Sequence, residues 1–343
     1  MKINFKNKQT QIIAECGLSH GGSLKKAKNF IKCVKENGAD IVKFQTHIAE
    51  KESTYDEKFR VKMSKKFKNR FEYWKKTSFS KSQWQELILF AKKQKILFLS
   101  SVFSIDAVNL LYSLGQRVFK IGSGEFFSKD ILDRIIKLNG SMIISTGMSS
   151  NSEITNLVKY LRKKKARFVL MQCTSSYPCD FPNTNLNMME HFKKKYKCLV
   201  GYSDHSGNLI APIIALTKKI AFLECHIKDK KSTSDPDYSS SISLTELNFL
   251  TEFKKKFYES ENNLGIKNKD KLAKLLFKNR ILFGKSLSLK KNKRSGEFVK
   301  LSDLTMKKPG NGIKLIEVNK ILGKKLKKNK SNLRLLKLSD FEK

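Results

Sequence analysis

Residues 118–125 read Val-Phe-Lys-Ile-Gly-Ser-Gly-Glu, a short apolar run with one lysine that ends in small polar residues. Its length suits a buried strand, and the glycines after Ile121 end it. Runs of this kind, apolar on both faces, are typical of parallel sheets covered by helices. The stretch therefore predicts a buried parallel strand whose carboxyl end presents polar groups.

The same kind of run recurs on both sides of this stretch. The predicted strands are 11–14, 41–44, 96–100, 118–121, 142–145, 168–172, 198–201 and 220–224. A helical pattern follows each run, as where Ile154, Leu157, Val158 and Leu161 repeat at i, i+3, i+4 and i+7. Eight strand–helix units predict an α/β protein with a closed (β/α)8 TIM barrel. A doubly wound open sheet is the alternative.

The alternation is interrupted once and then stops. The link 49–80 is long and charged, which predicts a surface excursion. We assign 1–258 to the barrel, the polar segment 259–276 to a linker, and 277–343 to a small β-rich domain with a short helix near 315–322. Because so small a domain has a marginal core, we expect it to pack against the barrel or another subunit.

The charge balance is strongly basic, with 70 Lys and Arg against 31 Asp and Glu. The lysines are spread over nearly every predicted helix, and no zinc-finger, RNP-like or helix-turn-helix signature accompanies them, so we expect no nucleic-acid partner. A positive field would still draw in anionic substrates. With no 18-residue apolar run and no apolar segment after the polar N-terminus, we expect no signal peptide, no membrane association and a cytoplasmic location. The six cysteines lack CxxC spacing, which indicates free thiols.

Barrel enzymes build their active sites from the carboxyl ends of the strands, and here those ends are rich in polar groups. They are Glu15, Lys43, Gln45, Ser100, Ser101, Lys120, Ser123, Glu125, Ser145, Thr146, Gln172, Thr174, Ser175, Tyr177, Ser203, Asp204, His205, Glu224 and His226. So many charged and imidazole groups at strand ends have no structural reason to be there. The pattern predicts an active site.

His205 and His226 follow successive strands, which are neighbours in a barrel. Neutral imidazoles placed in this way can share one divalent metal, with Glu15, Asp204 or Glu224 as further ligands or orienting groups. The alternative, that both are structural histidines, stays open on spacing alone. His20, in a Gly-rich loop, either turns the chain or binds an anion.

Lys43 and Lys120 lie inside otherwise apolar strands, where a lysine is costly unless it meets an anion. With Ser123, Ser145 and Thr146 they predict a cradle for phosphate and carboxylate. The rival chemistry is a Schiff-base aldolase, in which one buried lysine is the nucleophile. Two lysines beside a histidine pair favour anion binding.

Several motifs occur in a fixed order along nearly the whole chain. They are 12–15 IIAE, 38–46 GADIVKFQT, 119–125 FKIGSGE, 145–148 STGM, 173–178 CTSSYP, 201–205 GYSDH, 224–226 ECH, 236–237 PD and 307–313 KKPGNGI. This set resembles the sialic acid synthase (N-acetylneuraminate synthase) family. The last motif is similar to the signature of the SAF (antifreeze-like) domain that ends these enzymes.

The resemblance implies a TIM barrel followed by a SAF domain, in a swapped homodimer where one subunit's SAF domain covers the other's active site. It implies condensation of phosphoenolpyruvate with an N-acetylated amino sugar to a nonulosonic acid. By its motifs, the metal ligands for Mn²⁺ or Mg²⁺ are His205 and His226. The phosphoenolpyruvate-binding residues are Lys43, Ser101, Lys120, Ser123 and Ser145. The catalytic residues are Glu15, Glu125 and Tyr177, and the sugar-binding residues are Gln45, Ser175, Asp237 and Lys308.

One departure concerns the acceptor sugar. Lys308 stands where the synthases usually have an arginine that reaches the N-acetyl group, and lysine lacks arginine's planar fork. The acceptor therefore stays open between N-acetylmannosamine, its 6-phosphate and a diacetamido-trideoxy hexose. Another phosphoenolpyruvate–aldose synthase, or a degenerate sugar-binding relative, is the alternative function.

Overall fold

Eight parallel strands close into a barrel, as the sequence predicts. The computed structural model describes residues 3–59, 67–228, 236–263 and 268–342. The strands are β1 Gln11–Glu15, β2 Ile41–Thr46, β3 Leu97–Val102, β4 Val118–Ile121, β5 Ser141–Ser145, β6 Arg167–Gln172, β7 Leu199–Asp204 and β8 Phe222–Lys228. Each strand pairs with the next, and β8 pairs with β1. A short strand, β9 Ser241–Ser243, extends the sheet beside the end of β8.

Helices connect the strands and cover the barrel. They are α1 Leu24–Glu36, α2 Ala49–Glu52, α3 Arg70–Thr77, α4 Lys81–Lys93, α5 Ile105–Ser113, α6 Lys129–Lys137, α7 Asn151–Lys163, α8 Met188–Tyr196, α9 Ile210–Thr217 and α10 Leu244–Asn263. Side-chain caps begin two of them: Ser23 accepts from the backbone N–H of Lys26 at the start of α1, and Ser243 forms reciprocal hydrogen bonds with Glu246 in the first turn of α10. The predicted excursion after β2 contains α2 and α3.

Alternation along the strands explains why polar groups reach the barrel interior. Inward-facing apolar residues from several strands form a buried layer across the barrel; they are Ile13, Ile41, Leu99, Ile143, Val169, Met171 and Phe222. Below it Phe5 packs edge-on against Phe222 with ring centroids 5.8 Å apart. Because side chains alternate with a period of two, the next inward residue toward the carboxyl end is polar on most strands. These polar residues are Glu15, Lys43, Ser101, Ser145 and Glu224.

The larger apolar cluster lies between the sheet and the helices. Trp84, Phe119 and Phe192 are among its fully buried members. Burial of side chains this large contributes roughly 1.5–3 kcal/mol each relative to exposure, so the helical layer stabilises the strands that carry the polar ends. None of the six cysteines, all of which lie in the described ranges, forms a disulfide.

The chain divides into two compact units, Met1–Glu259 and Ser260–Lys343. The second contains the antiparallel pair β10 Ser286–Leu289 and β11 Leu304–Lys307 with its own core, in which Leu287, Ile321 and Leu336 are buried. The described part of the segment predicted as a linker, 259–276, is largely helical, with the end of α10 and then α11 Lys269–Leu275, followed by α12 Phe277–Phe283. The short helix predicted near 315–322 is a 3-10 helix, Leu315–Lys320.

Within the described ranges, no helix combines the length and the apolar character needed to cross a bilayer.

Candidate active site

The carboxyl ends of the strands surround a cavity of about 530 Å³. Of the residues to which the family resemblance gives a role as ligand, binding or catalytic residue, all except Lys308 line it, whereas Thr146, predicted for the anion cradle, does not and donates to the carbonyl oxygen of Met171. The lining residues with such a role are Glu15, Lys43, Gln45, Ser101, Lys120, Ser123, Glu125, Ser145, Ser175, Tyr177, His205, His226 and Asp237. Lys308 belongs to the second unit, where its ammonium group lies 5.7 Å from the ring centre of Phe283.

Two lysines and two carboxylates form the floor of this cavity. Lys43 Nζ lies 2.8 Å from Glu15 Oε2 and 3.5 Å from Glu224 Oε1, which is 3.7 Å from Lys120 Nζ. Each lysine also donates to a serine: Lys43 to Ser101 at 2.9 Å, and Lys120 to Ser145. The four charged side chains are at most 4% exposed. The carboxylates of Glu15 and Glu224 thus supply part of the negative charge that the buried lysines require.

The charge state of this floor follows from its pairing. Burial alone would lower the pKa of Lys43, but the carboxylates of Glu15 and Glu224 outweigh it and raise that pKa. Burial would likewise raise the pKa of Glu224, yet Lys120 and Lys43 hold it below its usual value. Lys43 is therefore an ammonium ion at neutral pH. Because a Schiff-base nucleophile must be a neutral amine, this state favours anion binding over aldolase chemistry.

The histidine pair lies above this floor. The rings of His205 and His226 have centroids 5.4 Å apart, and Tyr177 stacks on His205 at 4.1 Å. Nδ1 of His205 lies 2.8 Å from the carbonyl oxygen of Thr174, to which it must donate, so the lone pair lies on Nε2. Burial, and then the neighbouring His226, lower the pKa of His205 to about 3. His205 is thus neutral, the form in which imidazole binds metals.

Glu125 is a second group with an altered proton affinity. Burial raises the pKa of its carboxyl to about 7, and the negative charge of Glu52 adds to this effect. The side chain packs against Gly122, where an added Cβ would lie 2.6 Å from Glu125 Oε2. At neutral pH, Glu125 is therefore partly protonated and can donate a proton.

One wall of the cavity comes from the excursion after β2 and was not predicted. His47 lies between the rings of Trp74, at 4.0 Å, and Phe103, at 4.2 Å, in a nearly parallel stack. Its Nδ1 hydrogen-bonds with Glu52. The prediction ended β2 at Phe44 and so placed His47 in a loop. The strand runs to Thr46, which makes His47 a strand-end residue by the criterion that identified the other two histidines.

His20 does not belong to this site. It does not line the cavity; it is buried, stacks on Phe79 at 4.6 Å, and its Nδ1 accepts a hydrogen bond from the backbone of Gly22. Burial lowers its pKa to about 3, so it carries no charge that would attract an anion. Of the two predictions for this loop, the geometry supports the chain turn.

Comparison with known proteins identifies the family. The model of the NeuB family matches residues 30–269, more than half of the chain. The chain belongs to the NeuB family. The resemblance predicted from the motifs is thereby confirmed.

Named relatives of this NeuB family member are synthases of nonulosonic acids. The N,N'-diacetyllegionaminic acid synthase of Campylobacter jejuni is 36% identical over 94% of this chain and 97% of its own length. The human N-acetylneuraminate-9-phosphate synthase is 31% identical over 69% of this chain and 67% of its own length. The N-acetylneuraminic acid synthetase of Leptospira borgpetersenii, solved with citrate, superposes with a TM-score of 0.67 at 27% identity. The superposition covers 79% of this chain and 92% of the synthetase chain.

The donor set of this NeuB barrel fits a divalent metal with two protein ligands. Among the described residues, no group of three or more His, Cys, Asp and Glu side chains could hold a metal ion. Of the further ligands predicted, Asp204 accepts from Tyr202 and Ser206, and Glu15 pairs with Lys43. Oε2 of Glu224, buried and without a hydrogen-bond partner in the described structure, keeps spare acceptor capacity. Water and substrate oxygens would complete the coordination.

Proposed function

We propose that this protein condenses phosphoenolpyruvate with an N-acetylated amino aldose to give a nonulosonic acid and phosphate. The observation that carries the proposal is the position of the His205–His226 pair above two buried lysines in one cavity. The ammonium groups suit a small, multiply charged anion, and the imidazoles suit a metal that activates a carbonyl group. The named relatives, synthases of such acids, support the same reaction.

In this proposal the floor of the cavity binds phosphoenolpyruvate. Lys43, Lys120, Ser101 and Ser145 are charged or hydroxyl donors that converge there. Ser123 is oriented by the backbone N–H of Gly147, which donates to its hydroxyl at 3.0 Å, and by Cys173, whose Sγ lies 3.4 Å from the same hydroxyl. Fixed donors of this kind stabilise negative charge without reorganisation as the reaction proceeds.

The carbon–carbon bond forms between carbon 3 of phosphoenolpyruvate and the aldehyde carbon of the sugar. A divalent ion held by His205 and His226, Mn²⁺ or Mg²⁺, would act as a Lewis acid on the aldehyde oxygen. Glu125, partly protonated at neutral pH, donates the proton that turns this oxygen into a hydroxyl group. Water adds at carbon 2 and loses a proton, and the carboxylate of Glu15 is suited to accept it. Phosphate then leaves by C–O cleavage. The lysines neutralise the departing phosphate.

We propose a diacetamido-trideoxy hexose as the acceptor. The support is the C. jejuni legionaminic acid synthase, at 36% identity over nearly the whole chain. The rings of Trp74, Phe103 and Phe59 line the same cavity and offer apolar surface to a methyl group or an acetyl group. N-acetylmannosamine and its 6-phosphate are the competing acceptors.

We also propose a homodimer, with the second unit as a SAF domain. On α11 and α12, Leu275, Phe277, Leu282 and Phe283 are 73, 58, 62 and 64% exposed in the single chain. Exposed apolar side chains this close together in sequence are typical of an interaction surface. Sedimentation or light scattering tests this proposal, and a monomer at micromolar concentration would refute it.

Phosphate release from phosphoenolpyruvate tests the reaction. The acceptors are a diacetamido-trideoxy hexose, N-acetylmannosamine, its 6-phosphate and a phosphorylated aldose without an acetamido group. We expect release only with an acetamido sugar and a divalent metal. Equal release without an aldose, or with the phosphorylated aldose alone, would refute the proposal; undiminished activity after chelation would refute the metal.

A further inference from the structure

A buried chain of hydrogen bonds joins the excursion after β2 to the lysine floor. Glu52 bonds to Nδ1 of His47, and Nε2 of His47 lies 3.2 Å from Oε1 of Gln45. Nε2 of Gln45 donates to Oε1 of Glu15 at 2.7 Å, and Oε2 of Glu15 lies 2.8 Å from Lys43 Nζ. Gln45, Glu15 and His47 all line the cavity, and the ring of His47 is held between those of Trp74 and Phe103.

The donors and acceptors along this chain fix the direction of each bond. The carboxylate of Glu15 only accepts, so the nitrogen of the Gln45 carboxamide must face it and the oxygen must face His47. His47 therefore donates from Nε2. Its Nδ1 faces Glu52, so one further proton is shared there, on the imidazole or on the carboxyl group.

We propose that His47 is a positioning residue that holds the carboxamide of Gln45 in its working orientation. Two hydrogen bonds fix this group: its nitrogen donates to Glu15, and its oxygen accepts from Nε2 of His47. Without the His47 donor, only the bond to Glu15 holds the carboxamide within the described structure, so the amide plane can tilt out of its working orientation and weaken its bond to Glu15. This inference rests on the proposed function and adds to it the residue that orients the sugar-facing amide.

The setting of His47 suits such a role. The ring is 4% exposed and stacked on both faces, which fixes its plane. Glu52 holds the far nitrogen and also accepts from the backbone of Ile48 at 3.1 Å, which fixes the carboxylate. Gln45 and Asp237, another residue predicted to bind the sugar, both lie beside Gly17: an added Cβ at Gly17 would lie 3.7 Å from Gln45 Nε2 and 3.8 Å from Asp237 Oδ2.

Two substitutions separate the hydrogen bond from the ring. His47→Phe keeps the aromatic stack and removes the donor; His47→Gln carries an amide N–H to about the position of Nε2 and loses the stack. We expect His47→Phe to lower kcat/KM for the acceptor about 100-fold, the scale of a misplaced catalytic group, with KM for phosphoenolpyruvate changed by less than about twofold. We expect His47→Gln to recover at least about tenfold of this loss. The exposed His191→Phe is the matched control and should match the wild type.

A double-mutant cycle with Gln45→Leu shows whether His47 acts through Gln45. We expect His47→Phe to cost little further activity in the Gln45→Leu background. The same loss in both backgrounds, or wild-type kinetics for His47→Phe alone, would overturn the inference. If His47→Phe does not fold, His47→Leu, which also lacks the donor, replaces it in the cycle, with the same expected result.

A spectroscopic measurement keeps this inference separate from the reaction. In protein labelled at glutamine side-chain amides, we expect His47→Phe to shift the Gln45 resonances and His191→Phe to leave them unchanged. If wild-type protein releases no phosphate with any acceptor, the proposed reaction fails and this spectrum alone decides the role of His47. Gln45 resonances unaffected by His47→Phe would overturn it.

Discussion

Glu15 lies directly opposite His226 across the seam where β1 meets β8. These residues come from the first and last strands of the barrel, so neither half of the barrel contains the candidate site. The lysine floor has the same property, because Glu224 on β8 pairs with Lys43 on β2 and Lys120 on β4. The candidate site therefore forms only when β8 pairs with β1 and the sheet closes into a barrel.

Activity should depend on the protonation of Glu125. Its carboxyl group has a pKa of about 7, so the acid form is lost as the pH rises through that value. We expect kcat/KM to fall above pH 7, and Glu125→Gln to be about 100-fold slower with this limb absent, the scale of general-acid catalysis. Rates measured across this range check the prediction; an unchanged alkaline limb in Glu125→Gln would contradict it.

The same group should affect stability. Because the pKa of Glu125 rises from 4.5 to about 7 on folding, the folded state binds more protons between these values and stability falls with rising pH. Glu125→Gln removes this dependence. As the pH rises from 4.5 to 7, the unfolding free energy of Glu125→Gln, measured in urea, should increase by on the order of 3 kcal/mol relative to that of the wild type. If the unfolding free energy has the same dependence on pH in both proteins, Glu125 is ionised throughout this range and the prediction is wrong.

Glu224→Gln should be strongly destabilising. The substitution leaves Lys43 and Lys120 buried with one carboxylate fewer, and breaking a buried pair costs about 3–5 kcal/mol. Glu190→Gln, which breaks an exposed pair with Lys193, should cost less than about 1 kcal/mol. Since the pKa of Glu224 is lowered in the folded state, its contribution is present above its ordinary value of 4.5 and is lost as acid protonates it. Equal urea midpoints for the two variants at pH 7 would refute this.

His226→Ala should abolish turnover and weaken metal binding, because it removes one of the two imidazoles that would hold the ion. Titration of Mn²⁺ followed by calorimetry measures binding without turnover. His191→Ala, on the exposed face of α8, should bind and react like the wild type. Near-normal activity of His226→Ala would remove this residue from the metal site.

Lys308→Arg should alter acceptor preference with little effect on phosphoenolpyruvate. Arginine provides the planar fork that lysine lacks for an acetamido carbonyl. The ratio of kcat/KM values for the diacetamido sugar and N-acetylmannosamine checks this. An unchanged ratio would mean that position 308 does not set specificity.

Gly147→Ala should disturb the hydroxyl groups around the proposed phosphoenolpyruvate site. An added Cβ would lie 2.4 Å from Ser175 Oγ and 2.9 Å from Ser123 Oγ, so both side chains must move. We expect a higher KM for phosphoenolpyruvate. Gly124→Ala is the matched control, since its Cβ meets nothing within 4 Å. Equal KM values for the two variants would exclude Ser123 from binding.

Residues that depend on strand alternation could be predicted from sequence. Lys43 and Lys120 interrupt apolar runs, and a period of two directs them into the barrel whatever the details of the helices. The wall around His47 depends instead on where α3 brings Trp74, which is a matter of tertiary packing. No local pattern in the charged excursion encodes that contact. The pairing of both lysines with Glu224 was missed for a related reason, because the barrel must close before β8 meets β2 and β4 across its interior.

Among the described residues, the apolar layer across the barrel, with Phe5 packed beneath Phe222, separates the floor of the cavity from the amino-terminal end of the barrel. If the proposed reaction takes place, we therefore expect ordered kinetics: the anion that meets the lysines binds before the sugar, and phosphate leaves after the nine-carbon acid.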